Sequence, residues 1–196
     1  MHLERLIMDI EQAINERRTI RRFKQIPIPT ETLIKLINLA RVAPMAKNIQ
    51  AMEFVIVQNK ENVKKIFSMI RFAGSLPENE RKPEPGREPT AYIVVMVNTD
   101  IKNEYVDFDV GAAVENILLG AVKYNIGCCW MGNIDIVDIQ NYLKIPQNYV
   151  IKHVISLGYP DEVSMMEPFK NSFKYWKDDE GMHVPKRKLD DIYWKM

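Results

Sequence analysis

The chain has 196 residues, 46% of them apolar and 27% charged, which is the length and composition of one globular domain spanning residues 1–196. Its 27 basic and 26 acidic side chains leave a formal net charge of +1, so the molecule as a whole has no field that would attract nucleic acid or anionic lipid. Because no apolar run reaches 18 residues and the first residues lack the apolar core of a secretion signal, we expect a soluble cytoplasmic protein with no membrane partner.

The N-terminal part predicts two helices. In the first, residues 7–18, four apolar side chains recur at the spacing of one buried helix face: Ile7, Ile10, Ala13 and Ile14. An extended segment with two prolines follows, and Thr30 is placed to cap a second helix that stops near Pro44. The first helix therefore carries Arg17 and Arg18 at its C-terminal end.

The next segments alternate strands and helices. Runs of β-branched and aromatic residues at 54–57 and 92–97 predict strands buried on both faces, with a helix over 63–70 between them. Residues 73–90 contain four prolines and many charges, which predicts a long surface loop without regular structure, of the kind that often forms a lid.

In the second half, residues 111–124 predict a helix that is apolar on almost every side, as in helices at a domain centre or a subunit interface. A strand at 128–131, a helix at 136–143 and a strand at 150–157 follow. The tail, residues 165–196, has aromatic side chains among many charges and is too polar to form a core alone, so we expect an arm that covers another surface. The alternation of helices and strands indicates an α/β or α+β sandwich.

The two cysteines, Cys128 and Cys129, are adjacent in an apolar run. Neighbouring Cα atoms lie about 3.8 Å apart, below the usual disulfide range of about 4.4 to 6.8 Å, so a structural disulfide is not expected. We expect buried, unreactive thiols, and a reactive thiol is the alternative.

Several common motifs are absent. No GxGxxG follows a strand, and neither GxxxxGK[ST] nor GxSxG occurs, so dinucleotide-fold, P-loop and α/β-hydrolase interpretations have no support. The histidines at 2, 153 and 183 are far apart and outside any metal-binding pattern, so no metal site is expected.

The most unusual segment is 17–24, which has five cations in eight positions of an otherwise balanced chain. Guanidinium groups bind two phosphate oxygens at once, and Thr19 adds a hydroxyl, so we expect an anionic ligand there. The alternative is a solvated basic face at a helix end. A second basic group, including Lys186 and Arg187, would reach the same phosphate if the tail folds back.

Four segments occur in an order and spacing that resemble the FMN-dependent nitroreductase family: ERRTIRRF, APMAKNIQAMEFVIV, DVGAAVENILLGAVKYNIGCCWMGNID and ISLGYPDE. The resemblance covers about residues 10–162 and implies an α+β fold, a nitroreductase-like three-layer sandwich with a central mixed β-sheet flanked by helices, built as an intertwined homodimer with FMN at the interface. It also implies that Arg17, Arg18 and Thr19 hold the phosphate or ribityl group. Arg21 then lies beside the flavin ring, where a cation stabilises the reduced state.

The resemblance assigns two further segments to the cofactor. Pro44, Met45, Ala46, Asn48 and Gln50 belong to a loop that in relatives reaches the flavin bound mainly by the other subunit. Asn48 and Gln50 match the family pattern, whereas Met45 replaces a serine.

The turn Trp130, Met131 and Gly132 resembles one whose backbone amides face flavin N5 and O4. Gly132 would allow close approach of the main chain to the ring. The basic tail with Lys186 and Arg187 matches more loosely, as a phosphate contact.

The implied activity is electron transfer from NAD(P)H through FMN to a small acceptor such as a nitroaromatic or a quinone, in a ping-pong cycle with one shared pocket. No catalytic side chain is expected, because the cofactor carries the chemistry. The alternatives are a specialised flavin enzyme of the same family, such as a reductive dehalogenase, a non-catalytic flavin-binding protein, or a basic module without catalysis.

Overall fold

The computed structural model describes residues 8–196, and the bounds below refer to that part of the chain. The α-helices are α1 (Ile10–Glu16), α2 (Thr30–Arg41), α3 (Lys60–Ser68), α4 (Glu78–Arg81), α5 (Val106–Lys123) and α6 (Ile136–Leu143). The strands are β1 (Phe23–Lys24), β2 (Met52–Val57), β3 (Ala91–Asn98), β4 (Gly127–Met131), β5 (Tyr149–Pro160), β6 (Ser164–Pro168), β7 (Trp176–Lys177) and β8 (Met182–Lys186).

The main sheet is built around β5, which pairs with β1, β3 and β4, while β2 pairs with the other side of β3. These strand pairs are all antiparallel. In the main sheet, the parallel pairing expected of a mixed sheet is limited to an isolated bridge between Thr19 and Cys128. A second, three-stranded sheet has the order β6-β8-β7, with β6 and β8 parallel. The expected combination of helices with a central sheet is confirmed.

Helices cover both faces of the main sheet. Side chains alternate along β3, so Ile93 packs with α2 and α5, whereas Val94 packs on the opposite face with α3 and α6. The eight-residue β3 is buried along almost its whole length, as the apolar run predicts. The α+β fold with three layers is therefore confirmed.

The first helix differs from its prediction. It spans Ile10–Glu16, and of its predicted apolar face only Ala13 is buried, whereas Ile10 is 65% and Ile14 is 52% exposed. Ile7 lies outside the described residues. The apolar spacing is that of a helix, but within a single chain α1 packs only through the Ala13 side, so the expectation of a buried face is wrong for the isolated chain.

Two other helix starts also differ in detail. Thr30 is the first residue of α2 rather than its cap, and its hydroxyl donates to the side-chain oxygen of Gln58 at 2.8 Å. Helix α3 begins three residues earlier than predicted, because the side chain of Asn59 accepts hydrogen bonds from the first backbone N–H groups.

The 73–90 segment is more ordered than its prolines predict. It contains the one-turn helix α4, and Leu76 is buried against the α3 side of the sheet. The expectation of a segment without regular structure is therefore wrong, because tertiary contacts hold this stretch in place.

The C-terminal arm folds partly onto its own chain. The Met182 side chain in β8 is 1% exposed and belongs to the core on the α3 side, while Trp194 near the end is 89% exposed. Within residues 8–196, no helix has the combination of length and apolar character that crossing a bilayer requires.

Candidate functional site

The basic segment after α1 lines a cavity of about 360 Å³ at the edge of the main sheet. Arg17, Arg18 and Thr19 form one wall, and the opposite walls come from α5, β4 and the start of β6. Trp130 and Ser164 contribute side chains from the last two of these elements. A cavity of this volume is within the range of small-molecule sites.

Local backbone geometry explains why the basic segment leaves the axis of helix α1. Helix α1 ends because Arg17 has an extended ψ of 123°, so the chain continues as a strand-like segment. The next residues run beside β4, where the N–H of Ile20 donates to the carbonyl of Cys128 at 2.9 Å. The segment therefore leaves the helix and lies against the sheet edge, with Thr19 held by its bridge to β4.

The cavity contains a cation without a carboxylate partner and a hydroxyl without a hydrogen-bond partner in the described chain. Arg17 forms an ion pair with Glu115 at 3.6 Å. The guanidinium of Arg18 donates to the backbone carbonyl of Arg17 at 2.5 Å, but no carboxylate of the described chain lies within ion-pair distance of it. Burial, and then the neighbouring charge of Arg17, lower the pKa of Arg18. The hydroxyl of Ser164 is buried and has no hydrogen-bond partner among residues 8–196. An anion in the cavity would satisfy both groups.

Arg21 is separated from this cavity. Its guanidinium carbon lies 4.9 Å from the ring centre of Tyr175 in the C-terminal arm, and its Nε atom is buried without a hydrogen-bond partner in the described chain. The backbone N–H of Arg21 donates to a carboxylate oxygen of Glu162 at 2.5 Å. Arg21 therefore lies outside the cavity that Arg17, Arg18 and Thr19 line, and its contact with a flavin ring stays a prediction.

Arg22 has a structural role instead of a ligand-binding one. The guanidinium is 1% exposed and donates to Glu84 at 2.7 Å, to Glu162 at 3.4 Å and to the carbonyl of Glu80 at 3.1 Å. The hydrogen bond from Arg22 lowers the pKa of Glu84 to about 2. The five cations thus do not act as one anion site, because Arg22 is neutralised by carboxylates 62 and 140 residues away.

The turn after β4 lies next to the cavity. Trp130 is 39% exposed and its ring meets the ring of His153 edge to face, with centroids 5.1 Å apart. Met131 is buried. A Cβ on Gly132 would approach the His153 ring to 3.6 Å, an ordinary contact, so no protein group within the described chain requires glycine there. The role of Gly132 toward a ligand stays a prediction.

The loop with Pro44, Met45, Ala46, Asn48 and Gln50 is not part of the first cavity. It is anchored by the backbone N–H of Ala46, which donates to the carboxylate of Asp109 in α5 at 2.8 Å. Asn48 and Gln50 are exposed and have φ angles of 54° and 55°, which side-chain-bearing residues rarely adopt. Strain of this kind is concentrated at binding loops. Met45 and Gln50 line a separate cavity of about 370 Å³.

The predicted basic tail does not reach the cavity within one chain. Lys186 ends β8 and Arg187 follows it; both are exposed, and neither lines the cavity beside Arg17. The side chain of Arg187 donates instead to the carbonyl of Asp191. Their contact with a phosphate stays a prediction.

Both cysteines are free and buried, as predicted. Burial raises the pKa values of Cys128 and Cys129, which leaves both thiols protonated and unreactive at neutral pH.

Sequence reasoning missed Ser164, Glu162 and Tyr175. Ser164 belongs to no recognisable motif. Its hydroxyl becomes a candidate ligand contact only because the start of β6 lines the same cavity as the segment after α1. Glu162 lies in the ISLGYPDE segment, to which the family resemblance assigns no ligand contact. Tyr175 is one of several aromatic residues in a polar tail, and only the folding of the arm selects it.

The cationic segment of residues 17–24 thus lies at a sheet edge of a three-layer α+β fold, beside a cavity of the size of small-molecule sites. The model of the nitroreductase family matches residues 14–159. This match spans most of the chain, so the chain belongs to the nitroreductase family.

Similar proteins are found among curated sequences and solved structures. A protein of Archaeoglobus fulgidus, provisionally named NADH dehydrogenase/NAD(P)H nitroreductase, is 33% identical over 158 residues, which cover 77% of this chain and 85% of that protein. A nitroreductase family protein from Clostridium novyi is 27% identical, with a TM-score of 0.66 and coverage of 78% of this chain and 87% of the other. A provisionally named nitroreductase from Desulfovibrio desulfuricans, solved in complex with FMN, is 23% identical, with a TM-score of 0.66 and coverage of 83% and 93%.

Proposed function

We propose that this chain is an FMN-dependent NAD(P)H oxidoreductase that reduces small organic acceptors such as nitroaromatics and quinones. The observation that carries the proposal is the cavity after α1, where Arg18 has no carboxylate partner in the described chain and the buried hydroxyl of Ser164 has no hydrogen-bond partner there. The family match and the FMN in the Desulfovibrio desulfuricans relative support a flavin phosphate as the anion.

The residues of the cavity suit a phosphate in chemistry and position. Arg18 supplies a cation with no counter-ion in residues 8–196, and the hydroxyls of Thr19 and Ser164 add neutral donors. Arg17 is held by its ion pair with Glu115, which leaves its other guanidinium nitrogens available to the same ligand. Charge-assisted hydrogen bonds of this kind are the strong ones in proteins.

We further propose that the protein is a homodimer. Ile10 and Ile14 of α1 and Ile34 of α2 are more than half exposed, and an apolar groove of about 350 Å³ runs between α1 and α5. An exposed apolar surface of this extent is typical of an interface. A two-fold partner covering it would account for the apolar α1 face. In the homodimer that the family resemblance implies, the exposed loop at 44–50 would reach the site of the other subunit.

The protein's part in the reaction is binding, orientation and electrostatics. FMN, when bound, supplies the hydride chemistry between NAD(P)H and the acceptor. Arg21 would provide positive charge near the flavin ring, and the turn with Trp130, which lines the cavity, would face flavin N5 and O4. NAD(P)H and the acceptor would take turns in one pocket, so no second nucleotide-binding motif is needed.

The test starts from the purified protein. We expect flavin absorbance bands near about 370 and 450 nm, and release of FMN on denaturation. NADH and NADPH oxidation is then followed with menadione and with nitrofurazone as acceptors. Bound FMN without turnover of either donor would indicate a flavin-binding protein, and a colourless protein that ignores added FMN would refute the proposal. Turnover only with halogenated phenols would favour the reductive dehalogenase.

A further inference from the structure

The ring of Tyr175 covers the guanidinium group of Arg21. The two residues are 154 positions apart, and the guanidinium carbon lies 4.9 Å from the ring centre. Tyr175 immediately precedes β7 and is partly buried against the core on the α3 side of the sheet. This cation–π contact links the side chain of Arg21 to the C-terminal arm, residues 165–196.

The position of Tyr175 is fixed by its own hydroxyl and by the contacts of its neighbour Trp176. Its hydroxyl accepts a hydrogen bond from the backbone N–H of Ser75 at 3.3 Å, which links the arm to the 73–90 segment. The neighbouring Trp176 stacks on His183 with ring centres 4.9 Å apart and nearly parallel planes. The imidazole of His183 is hydrogen-bonded at one nitrogen to Glu167 and at the other to Asp178. The Tyr175 ring over Arg21 therefore lies in a part of the arm that hydrogen bonds and ring stacking hold in place.

Stacking on an aromatic face leaves the donors of a guanidinium group unused. A guanidinium has five N–H donors, and the ring quadrupole attracts its charge without accepting any of them in the manner of an oxygen. The Nε atom of Arg21 is buried and has no hydrogen-bond partner in the described chain, and a hydrogen bond joins the guanidinium to the thiol of Cys129, a weak acceptor. Glu162 holds only the backbone N–H. Arg21 is thus held in place by a ring, a backbone contact and a weakly accepting thiol, while its buried Nε–H lacks an acceptor in the described chain.

We propose that Tyr175 is a positioning residue for Arg21, holding the guanidinium so that its N–H groups meet the electronegative edge of the flavin ring. The inference rests on the proposed function, since it requires FMN to be the ligand. It assigns a role to the C-terminal arm, which then sets flavin affinity and reduction potential through one aromatic side chain.

The first experiment compares Tyr175→Leu and Tyr175→Phe in the full-length protein. Cation–π contacts contribute about 0.5 to 2 kcal/mol, so Tyr175→Leu should raise the Kd of FMN roughly twofold to thirtyfold, whereas Tyr175→Phe keeps the ring and should leave the Kd nearly unchanged. The midpoint potential of bound FMN should fall in Tyr175→Leu and recover in Tyr175→Phe. Phe173→Leu is the matched control, because Phe173 is an exposed arm aromatic that stacks on Phe169.

The second experiment separates positioning from damage to the fold. In an Arg21→Gln background, Tyr175→Leu should weaken FMN binding no further, because the ring acts through the guanidinium. An equal loss in both backgrounds, or an unchanged Kd and potential in Tyr175→Leu alone, would overturn the inference. If wild-type protein itself does not bind FMN, the proposed function fails instead, so the two failures are distinguishable.

Discussion

Arg22 and Glu84 join the main sheet to the 73–90 segment through a charge-assisted hydrogen bond of 2.7 Å. The guanidinium is 1% exposed, and the same group donates to the nearly buried carboxylate of Glu162. This ion pair therefore joins the basic segment 17–24, which was expected to bind a ligand, to the segment 73–90, which was expected to be a loop.

Replacing Arg22 should destabilise the protein strongly. Arg22→Met leaves the carboxylate of Glu162, whose side chain is 5% exposed, without its cation, and breaking a buried pair of this kind costs about 3 to 5 kcal/mol. Urea unfolding measures the change. Lys152→Gln is the control, since its ion pair with Asp107 is exposed and should contribute roughly 0 to 1 kcal/mol. Equal losses in the two variants would contradict the structural role of Arg22.

The stability of the arm should depend on pH through His183. The imidazole contacts two carboxylates, so both nitrogens donate only when the ring is protonated, and the hydrogen bonds to Glu167 and then Asp178 raise the pKa of His183. Its contribution to stability is therefore fully present below the unfolded pKa of about 6.5 and is lost as pH rises through the folded pKa.

The pH prediction is checked by comparing the free energy of unfolding of wild type and His183→Gln across this window. The difference should shrink as pH rises. His153 provides the contrast, because burial lowers its pKa, so its contribution becomes more favourable as pH rises. The same slope for His183→Gln and His153→Gln would rule out the assignment.

Arg21 should be required for cofactor retention. Arg21→Ala removes the cation expected beside the flavin ring and should raise the Kd of FMN by about tenfold or more. Lys60→Ala alters an exposed cation at the start of α3 and should leave the Kd unchanged. Fluorescence titration of the apo-protein gives both values. Indistinguishable variants would count against the proposed site.

Ser164 should affect binding and stability in opposite directions. Its buried hydroxyl has no partner in residues 8–196, so Ser164→Ala removes an unsatisfied group and should leave the apo-protein equally stable or slightly more stable. The same change should weaken FMN binding by about fivefold, because one phosphate or ribityl contact is lost. Ser68→Ala, on the exposed side of α3, should change neither quantity. Unaltered FMN affinity in Ser164→Ala would remove Ser164 from the site.

The apolar face of α1 should hold two subunits together. Ile14→Lys places a charge on that face, where Ile14 is 52% exposed in the single chain, and should shift the protein toward monomer. Val137→Lys tests a similarly exposed apolar residue on α6 and should leave the mass unchanged. Light scattering after size-exclusion chromatography measures the masses. A monomeric wild type would disprove the dimer.

Much of the fold was predictable because it depends on local signals. The β-branched runs predicted β3 and β5, and the charge cluster drew attention to Arg17, Arg18 and Thr19, which do line one cavity. Helix spacing, strand composition and turn residues act within a few positions along the chain, so they can be read without tertiary contacts.

Tertiary structure decided the rest, because burial and charge pairing depend on which distant segments meet. Nothing near Arg22 in sequence distinguishes it from Arg21, yet Glu84 and Glu162 neutralise the first, whereas Tyr175 covers the second. The sequence by itself determined the fold class and the basic segment that leaves α1. The three-dimensional arrangement of β6, the arm and the 73–90 segment determined which of those cations remains available to a ligand, since desolvation and ion pairing are properties of the folded surroundings.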